Sequence, residues 1–205
     1  KNIMINQRIL NSAFSVLKPK PKLTISQWSD QNRYIARGTS PEPGRWKTSR
    51  SPYTREIMDV FNTTTNLVVV CASSQVGKTE IALNIMGFYM QEDPSSMMYL
   101  MPTEGTAQDF SKTRIQPTID ASPVLKELFS NAKDSDNTIE LKTFSGGYVA
   151  IYGASTPTKL ASKPIRVILA DEIDRFPQIL KGEGDPLKLA LQRSTNFFNR
   201  KILLI

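Results

Sequence analysis

The architecture of this chain is predicted by one segment, Leu67-Val68-Val69-Val70-Cys71-Ala72-Ser73-Ser74-Gln75-Val76-Gly77-Lys78-Thr79. Its first five residues are apolar, which predicts a fully buried strand, and residues 79–90 have the apolar spacing of a helix. A polar loop that ends in Gly-Lys-Thr lies between them. Strand, loop and helix in this order are typical of a phosphate-binding loop, although Ala72 stands where the usual pattern has its first Gly.

Each residue type in this loop has a task in binding a nucleotide. Gly77 lets the backbone approach the phosphates, and the amides of the turn and of the helix N-terminus point at the anion. Lys78 is expected to reach the β- and γ-phosphates, and the hydroxyl of Thr79 to bind Mg²⁺. We therefore assign nucleotide contacts to eight consecutive residues: Ser73, Ser74, Gln75, Val76, Gly77, Lys78, Thr79 and Glu80.

A second motif ends another apolar run with two carboxylates, Val167-Ile168-Leu169-Ala170-Asp171-Glu172. At the carboxyl end of a central parallel strand, these side chains would emerge beside the phosphate loop. Asp171 could then hold Mg²⁺ together with Thr79, while Glu172 could align and deprotonate the attacking water. We assign catalysis to Glu172 and Lys78, with ATP and Mg²⁺ as cofactors. The alternative is a buried strand that simply ends in solvated acids.

Apolar strands alternate with helices along most of the chain, and this pattern predicts the fold class. We expect a P-loop NTPase of three α/β/α layers, in which the central sheet is mainly parallel and a further strand separates the two motifs. Strands are predicted at 67–71, 97–101 and 167–170, and a hairpin at 140–142 and 148–152. Helices are predicted at 26–36, 55–61, 79–90, 108–119, 122–129 and 186–193.

Composition excludes several other classes of function. The 205 residues contain one Cys and no His, which excludes a disulfide framework, the usual zinc sites and His-based catalysis. No apolar run approaches the roughly 18 residues of a membrane span, and the N-terminus lacks the apolar core of a secretion signal. These features indicate an intracellular protein without a membrane partner.

The net charge of +7 is unevenly distributed, because residues 1–55 sum to +9 and the rest to −2. We divide the chain into a basic arm, residues 1–55, packed on a P-loop domain of residues 56–205. The arm could bind a DNA backbone, or its charges could form a solvated face. The candidate DNA contacts are Arg33, Arg37, Arg45, Lys47 and Arg50.

Several motifs together resemble the large terminase subunit of lambda-like tailed phages and prophages. They are Gly44-Arg45-Trp46, Pro52 to Met58, the loop Ser74 to Glu80, Met101-Pro102-Thr103, Gln116 to Ile119, and residues 160–164 leading into 171–177. The resemblance covers about residues 20–200. It implies an ATPase that drives double-stranded DNA into a procapsid in the host cytoplasm, with the small terminase subunit and the portal as partners and a homo-oligomeric ring as the active form.

In that family a coupling motif and a nuclease domain follow the ATPase part. The chain begins at Lys1 and stops within the apolar run 202–205, so we interpret it as a fragment truncated before both, without nuclease activity. Lys78 occupies the ordinary position of the loop lysine, whereas the lambda branch resembles a variant with its lysine where this chain has Ala72.

Some roles stay open at this point. The Gln that related motors use to read adenine has no counterpart here, so Trp46 and Tyr53 either stack on the base or pin the arm to the domain. Arg193, Arg175 and Arg166 are candidates for an arginine finger, in cis or from a neighbouring subunit, or form surface ion pairs. The alternative functions are a helicase-type or remodelling ATPase on nucleic acid, and an idle nucleotide-binding docking module.

Overall fold

A computed structural model describes residues 22–73, 75–129, 137–160, 163–180 and 184–205 of the chain. Ser74, residues 1–21 of the basic arm and residues 161–162 of a quoted motif lie outside the described residues.

A six-stranded sheet with the order β3-β8-β7-β4-β6-β5 forms the centre of the molecule. All neighbouring pairs are parallel except β5 and β6, which form an antiparallel hairpin. The carboxyl ends of β3, β8, β7, β4 and β6 therefore share one edge. The strands are β3 (Leu67–Val69), β4 (Ser96–Met101), β5 (Leu141–Phe144), β6 (Gly147–Gly153), β7 (Val167–Ala170) and β8 (Lys201–Leu204).

Helices cover both faces of this sheet, which confirms the predicted three layers. Alternate strand residues face opposite ways: Tyr99 and Leu169 belong to one buried apolar cluster, and Leu100 and Ile168 to the other. The helices are α1 (Ile25–Asn32), α2 (Thr54–Asp59), α3 (Lys78–Gln91), α4 (Glu104–Phe110), α5 (Gln116–Ala121), α6 (Pro123–Leu128), α7 (Pro157–Leu160) and α8 (Pro186–Gln192). No helix among the described residues is long and apolar enough to cross a membrane.

The strand before the phosphate loop differs from its prediction. β3 lies at the edge of the sheet and, among the described residues, pairs with β8 alone. Its side chains alternate: Val68 packs against the core, whereas Leu67 and Val69 are 49% and 60% exposed. The expectation of a fully buried strand at 67–71 is therefore wrong, because an apolar run does not distinguish an edge strand from a central one.

Helix α3 follows the loop and is buried on every side between the sheet and α1. All residues from Ile81 to Met90 are buried. Gly87 permits the close crossing of α1, since a Cβ there would lie 2.5 Å from Cη2 of Trp28. The indole Nε1 of Trp28 donates a hydrogen bond to Oε1 of Gln91 at 2.6 Å, which fixes the indole at this crossing.

The N-terminal part of the described chain joins the same core. Thr24 caps α1 in a capping box with Gln27. The helix ends at Asn32 rather than 36, because the two-residue strand β1 (Tyr34–Ile35) pairs antiparallel with β2 (Gly44–Arg45). The predicted helix at 108–119 is interrupted by a π-helical turn, Ser111–Ile115, between α4 and α5.

Candidate functional site

The phosphate loop turns sharply between β3 and α3. Gly77 has φ 78° and ψ 18°, a left-handed conformation that glycine adopts without strain, and it immediately precedes α3. Gln75 also has a positive φ, of 61°, which is uncommon for a residue with a side chain. Backbone strain of this kind concentrates at functional sites. The loop thus presents the N-terminus of a 14-residue helix to the carboxyl edge of the sheet.

Lys78, the first residue of α3, folds back over the loop. Its Nζ donates a hydrogen bond to the carbonyl oxygen of Ala72 at 2.8 Å. This contact spans the loop from its last residues to its first and places the ammonium group over the turn.

The two motifs meet at a buried carboxylate. Asp171 follows β7 and is 4% exposed. Its Oδ2 accepts hydrogen bonds from the hydroxyl of Thr79 at 3.2 Å and from the hydroxyl of Tyr99 at 3.1 Å. Burial and the nearby Asp171 charge raise the pKa of Tyr99 well above 10.0, so the phenol stays protonated and donates. Thr79 and Asp171 therefore come together as the sequence predicts.

Glu172, the residue after Asp171, turns away from the strand. Its backbone is left-handed, with φ 57° and ψ 45°, and it precedes a short 3₁₀ turn, Ile173–Arg175. The Nη1 of Arg175 donates to Oε2 of Glu172 at 3.1 Å. This pair is solvent-exposed, and such pairs contribute little to stability.

A cavity of about 300 Å³ lies between these elements, and we call it the phosphate-loop cavity. It is lined by Gln75, Gly77, Lys78, Thr79, Glu80, Arg114, Asp171 and Glu172. Seven of these eight residues were predicted from the two motifs. Arg114 was not, because it lies in the π-helical turn and belongs to no motif.

Glu80 is held by two arginines at the wall of this cavity. Its Oε2 accepts from Nη2 of Arg33 at 2.9 Å, and its Oε1 from Nη2 of Arg114 at 2.6 Å. Arg33 is 1% exposed, and desolvation lowers its pKa, an effect that the charge of Glu80 opposes. Arg33 also donates to Oγ1 of Thr118 at 3.2 Å. These contacts link α1 and α5 to the first turn of α3.

This burial corrects the assignment of Arg33 to a DNA surface, because a buried guanidinium with these partners cannot meet a phosphate backbone. Arg45 is exposed, but its guanidinium donates to the carbonyls of Asp30 and Gln31 at the end of α1. Arg50 is exposed and pairs with Glu42 at 2.6 Å. Arg37 and Lys47 are exposed as well.

The two predicted aromatic residues have different environments. Trp46 is 7% exposed, and its Nε1 donates to Oγ1 of Thr48 at 3.0 Å, so its assignment to base stacking is wrong because the indole is packed inside the arm. The hydroxyl of Tyr53 donates to the carbonyl oxygen of Val76 in the phosphate loop at 3.0 Å. Its ring helps to line an apolar cavity of about 310 Å³ beside the loop, together with Ile57, Val70, Ala72, Val76, Lys78 and Ile81.

Of the three candidate arginine fingers, Arg175 lies beside the site through its pair with Glu172. Arg166 precedes β7, at the edge formed by the amino ends of the strands. It is five residues, or about 16 Å, from Asp171 along the strand. There it pairs with Asp93, with 2.8 Å between Nη1 and Oδ1. Arg193 also lies at that edge, where its carbonyl accepts from the amide of Ile165. A role for either one in this chain's own site is therefore excluded by geometry, while a role towards a neighbouring subunit stays a prediction.

The fold and the site together define an α/β nucleotide-binding domain of the P-loop class. The chain belongs to the family of the phage terminase large subunit gpA, ATPase domain, whose sequence model matches residues 40–205. This match confirms the resemblance of its motifs to the large terminase subunit.

Two relatives of the chain are large subunits of phage terminases. The chain is 30% identical over 190 residues to the terminase large subunit of Enterobacteria phage P21, covering 90% of this chain and 29% of that protein. It is 28% identical over 183 residues to the terminase large subunit of Escherichia phage lambda, covering 87% of this chain and 28% of that protein. The chain thus spans less than a third of the length of these relatives.

A solved structure shares the fold. The chain is similar to the HK97 bacteriophage large terminase with a TM-score of 0.64 at 11% identity, over 89% of this chain and 38% of that one. At this identity the likeness supports the fold and not the details of the site.

Proposed function

We propose that this chain binds MgATP at residues 73–80 and hydrolyses it as the motor domain of a terminase that moves double-stranded DNA into a procapsid. The observation that supports this most directly is the contact between Thr79 and Asp171, which joins the two motifs at one edge of the sheet. Their hydroxyl and carboxylate oxygens are hard ligands of the kind that Mg²⁺ prefers. The residues present therefore fit the cofactor.

The chain's own residues divide the chemistry among them. Bound MgATP supplies the phosphoryl group and the divalent charge that stabilises its transfer. The helix N-terminus and Lys78 bind and orient the phosphates, and Asp171 and Thr79 hold the metal through oxygen contacts. Glu172 lines the same cavity, where its carboxylate can align a water molecule and accept its proton.

The apolar cavity beside the loop is our candidate for the adenine site. Its position between α2 and the phosphate loop is adjacent to where the phosphates would lie, and Tyr53 offers a ring face to a base. A site with apolar walls and few polar groups suits the flat faces of a purine.

The partners follow from the family and belong to this proposal. We propose double-stranded DNA, the small terminase subunit and the portal or procapsid as partners, a ring of this protein as the active form and the host cytoplasm as its location. The exposed cations Arg37, Lys47 and Arg50 remain candidates for contacts with DNA phosphates.

Three substitutions test the proposed reaction. Lys78→Ala should abolish hydrolysis and weaken nucleotide binding, because the loop keeps its amides but loses the charge that reaches the phosphates. Glu172→Gln should bind MgATP and lose turnover, since an amide cannot accept the water's proton. Asp171→Asn should instead weaken Mg²⁺-dependent binding. Each is measured by calorimetric titration with MgATP and by steady-state phosphate release.

Two outcomes would contradict these roles. Wild-type turnover by Lys78→Ala would show that this loop is not the site, and an equal loss of nucleotide affinity in Glu172→Gln and Asp171→Asn would refute their separate roles. Wild-type protein that binds nucleotide without turnover, with or without DNA, would favour the docking module, and unwinding of a forked duplex would favour a helicase.

A further inference from the structure

We propose that Arg114 is a catalytic arginine supplied by the chain itself, which exchanges its partner Glu80 for the γ-phosphate when ATP is bound. The inference rests on the proposed function, since it assigns a residue to the same nucleotide site. Sequence patterns alone favoured other arginines, and the structure brings Arg114 to the cavity instead.

The position of Arg114 is the first argument. Among the described residues that line the phosphate-loop cavity, Arg114 is the only arginine, and it shares that cavity with Lys78, Asp171 and Glu172. It is carried by the π-helical turn Ser111–Ile115, and such turns are rare and frequent at functional sites. Because the turn interrupts the regular helical spacing between α4 and α5, the helix pattern gives no indication that this side chain faces the cavity.

The second argument is that Arg114 is less buried and less firmly held than Arg33. Both arginines bind Glu80, one on each carboxylate oxygen. Arg33 is buried and held by further contacts to Thr118 and Tyr34, so it cannot leave. Arg114 is 29% exposed, and besides its pair with Glu80 it donates a 3.2 Å hydrogen bond to the carbonyl of Thr39. When Arg114 turns into the cavity, Glu80 remains paired with Arg33, so no carboxylate is left buried without a partner.

The chemistry of the site is the third argument. Charge on the phosphoryl oxygens must be stabilised as transfer proceeds, and an arginine that moves onto the γ-phosphate when ATP binds is in place before that charge develops. Its planar guanidinium can bind two phosphate oxygens at once, which an ammonium group cannot do. Glu80 acts on Arg114 as a positioning residue, because its carboxylate holds the guanidinium at the cavity wall until the γ-phosphate replaces it.

The test compares an ATP analogue with ADP, since only the former carries the γ-phosphate. Binding of Mg·AMP-PNP and of MgADP to the whole chain is measured by calorimetry for the wild type, Arg114→Gln and Arg114→Lys. We expect Arg114→Gln to bind AMP-PNP about 10- to 100-fold more weakly, the size of a lost charge-assisted hydrogen bond, with ADP affinity changed less than about threefold. Turnover should fall by about 10³-fold or more. Arg114→Lys should have an AMP-PNP affinity and a turnover between those of the wild type and Arg114→Gln.

Lys112 provides a matched control, because it is an exposed cation in the same π-helical turn that does not line the cavity. Lys112→Gln should leave both affinities and turnover unchanged. A thermal melt checks folding, and Arg114→Lys retains a charge towards Glu80 if the Gln variant is unstable.

The possible failures are distinguishable. An unchanged ratio of AMP-PNP to ADP affinity in Arg114→Gln, or an equal loss of both affinities, would overturn the role of Arg114 while the nucleotide site stands. Wild-type protein that binds neither nucleotide would refute the proposed function, and this inference with it.

Discussion

Removal of one oxygen atom, in Tyr99→Phe, tests how strongly β4 holds Asp171 at the candidate site. The side chain is fully buried, and its ring stacks on Phe110 with 4.6 Å between centroids, a contact that Phe retains. The substitution therefore removes only the hydroxyl that donates to Asp171 at 3.1 Å. A hydrogen bond to a charged group contributes about 1.5–3 kcal/mol. Because Asp171 is itself buried, water does not replace the lost donor, and we expect the upper half of that range.

The alkaline side of the stability curve gives an independent check. Burial, reinforced by Asp171, raises the pKa of Tyr99 well above 10.0, so above pH 10 the unfolded chain releases this proton while the folded chain keeps it. The unfolded state then binds fewer protons, and the stability of the wild type falls as pH rises. Phe cannot ionise in either state. The stability difference between wild type and variant should therefore narrow above pH 10, by about 1.4 kcal/mol for each further pH unit.

Urea unfolding at pH 7 and at pH 10.5 measures both effects. Tyr89→Phe is the matched control, because its buried hydroxyl donates to a neutral acceptor, the carbonyl of Phe61, at a longer 3.4 Å. We expect this control to cost about 0.5–1.5 kcal/mol. If Tyr99→Phe is no more destabilising than Tyr89→Phe at pH 7, the bond to Asp171 does not have the strength that its geometry indicates.

Three further predictions concern the basic arm and the apolar cavity. Arg33→Met should lower the free energy of unfolding by about 1.5–3 kcal/mol, since it removes a charge-assisted hydrogen bond to Glu80 while Arg114 keeps that carboxylate paired, and it should leave the salt dependence of duplex binding unchanged. Reversal of Arg37, Lys47 and Arg50 to Glu should leave the free energy of unfolding unchanged and reduce the log–log salt slope of duplex binding by about one unit per phosphate contact. Lys188→Glu is the control, and an unchanged slope would show that the arm does not contact DNA. Tyr53→Ala should weaken ATP and ADP binding equally in a calorimetric titration, and unaltered affinities would remove the cavity beside the loop from the nucleotide site.

Much of the fold could be predicted because its central elements have strong local patterns. The strand at 167–170 has the predicted bounds, and α3 extends one residue beyond its prediction at each end. The hairpin around Gly146 forms as expected, with Gly146 at φ 91°. The edge position of β3 could not be predicted, because it depends on which strands pair, a long-range property that an apolar run of five residues does not encode.

The residues of the candidate site also divide into those that a local sequence pattern predicts and those that depend on the fold. Residues adjacent in the sequence, such as Lys78 with Thr79 or Asp171 with Glu172, form a pattern that can be recognised. Tyr99 lies within the apolar run Met97–Met101, where the pattern predicts an ordinary core residue. Its hydroxyl can reach Asp171 only because β4 pairs with β7 in the folded sheet. Tyr99 alternates with Met97 and Met101 along β4, and all three belong to the apolar cluster that also contains the buried residues of α3.

Charge alone was the least reliable guide, and Arg33 shows why. A count of charges treats every arginine in the arm as exposed. Whether an arginine can be buried depends on whether the fold places a carboxylate within reach of its guanidinium. Glu80, 47 positions further along the chain, provides that carboxylate from the first turn of α3. The arm is thereby bound to the helix that presents the phosphate loop, through a contact that withstands desolvation only because both charges are present. A substitution that removes Arg33 therefore acts on Glu80, and through Glu80 on Arg114.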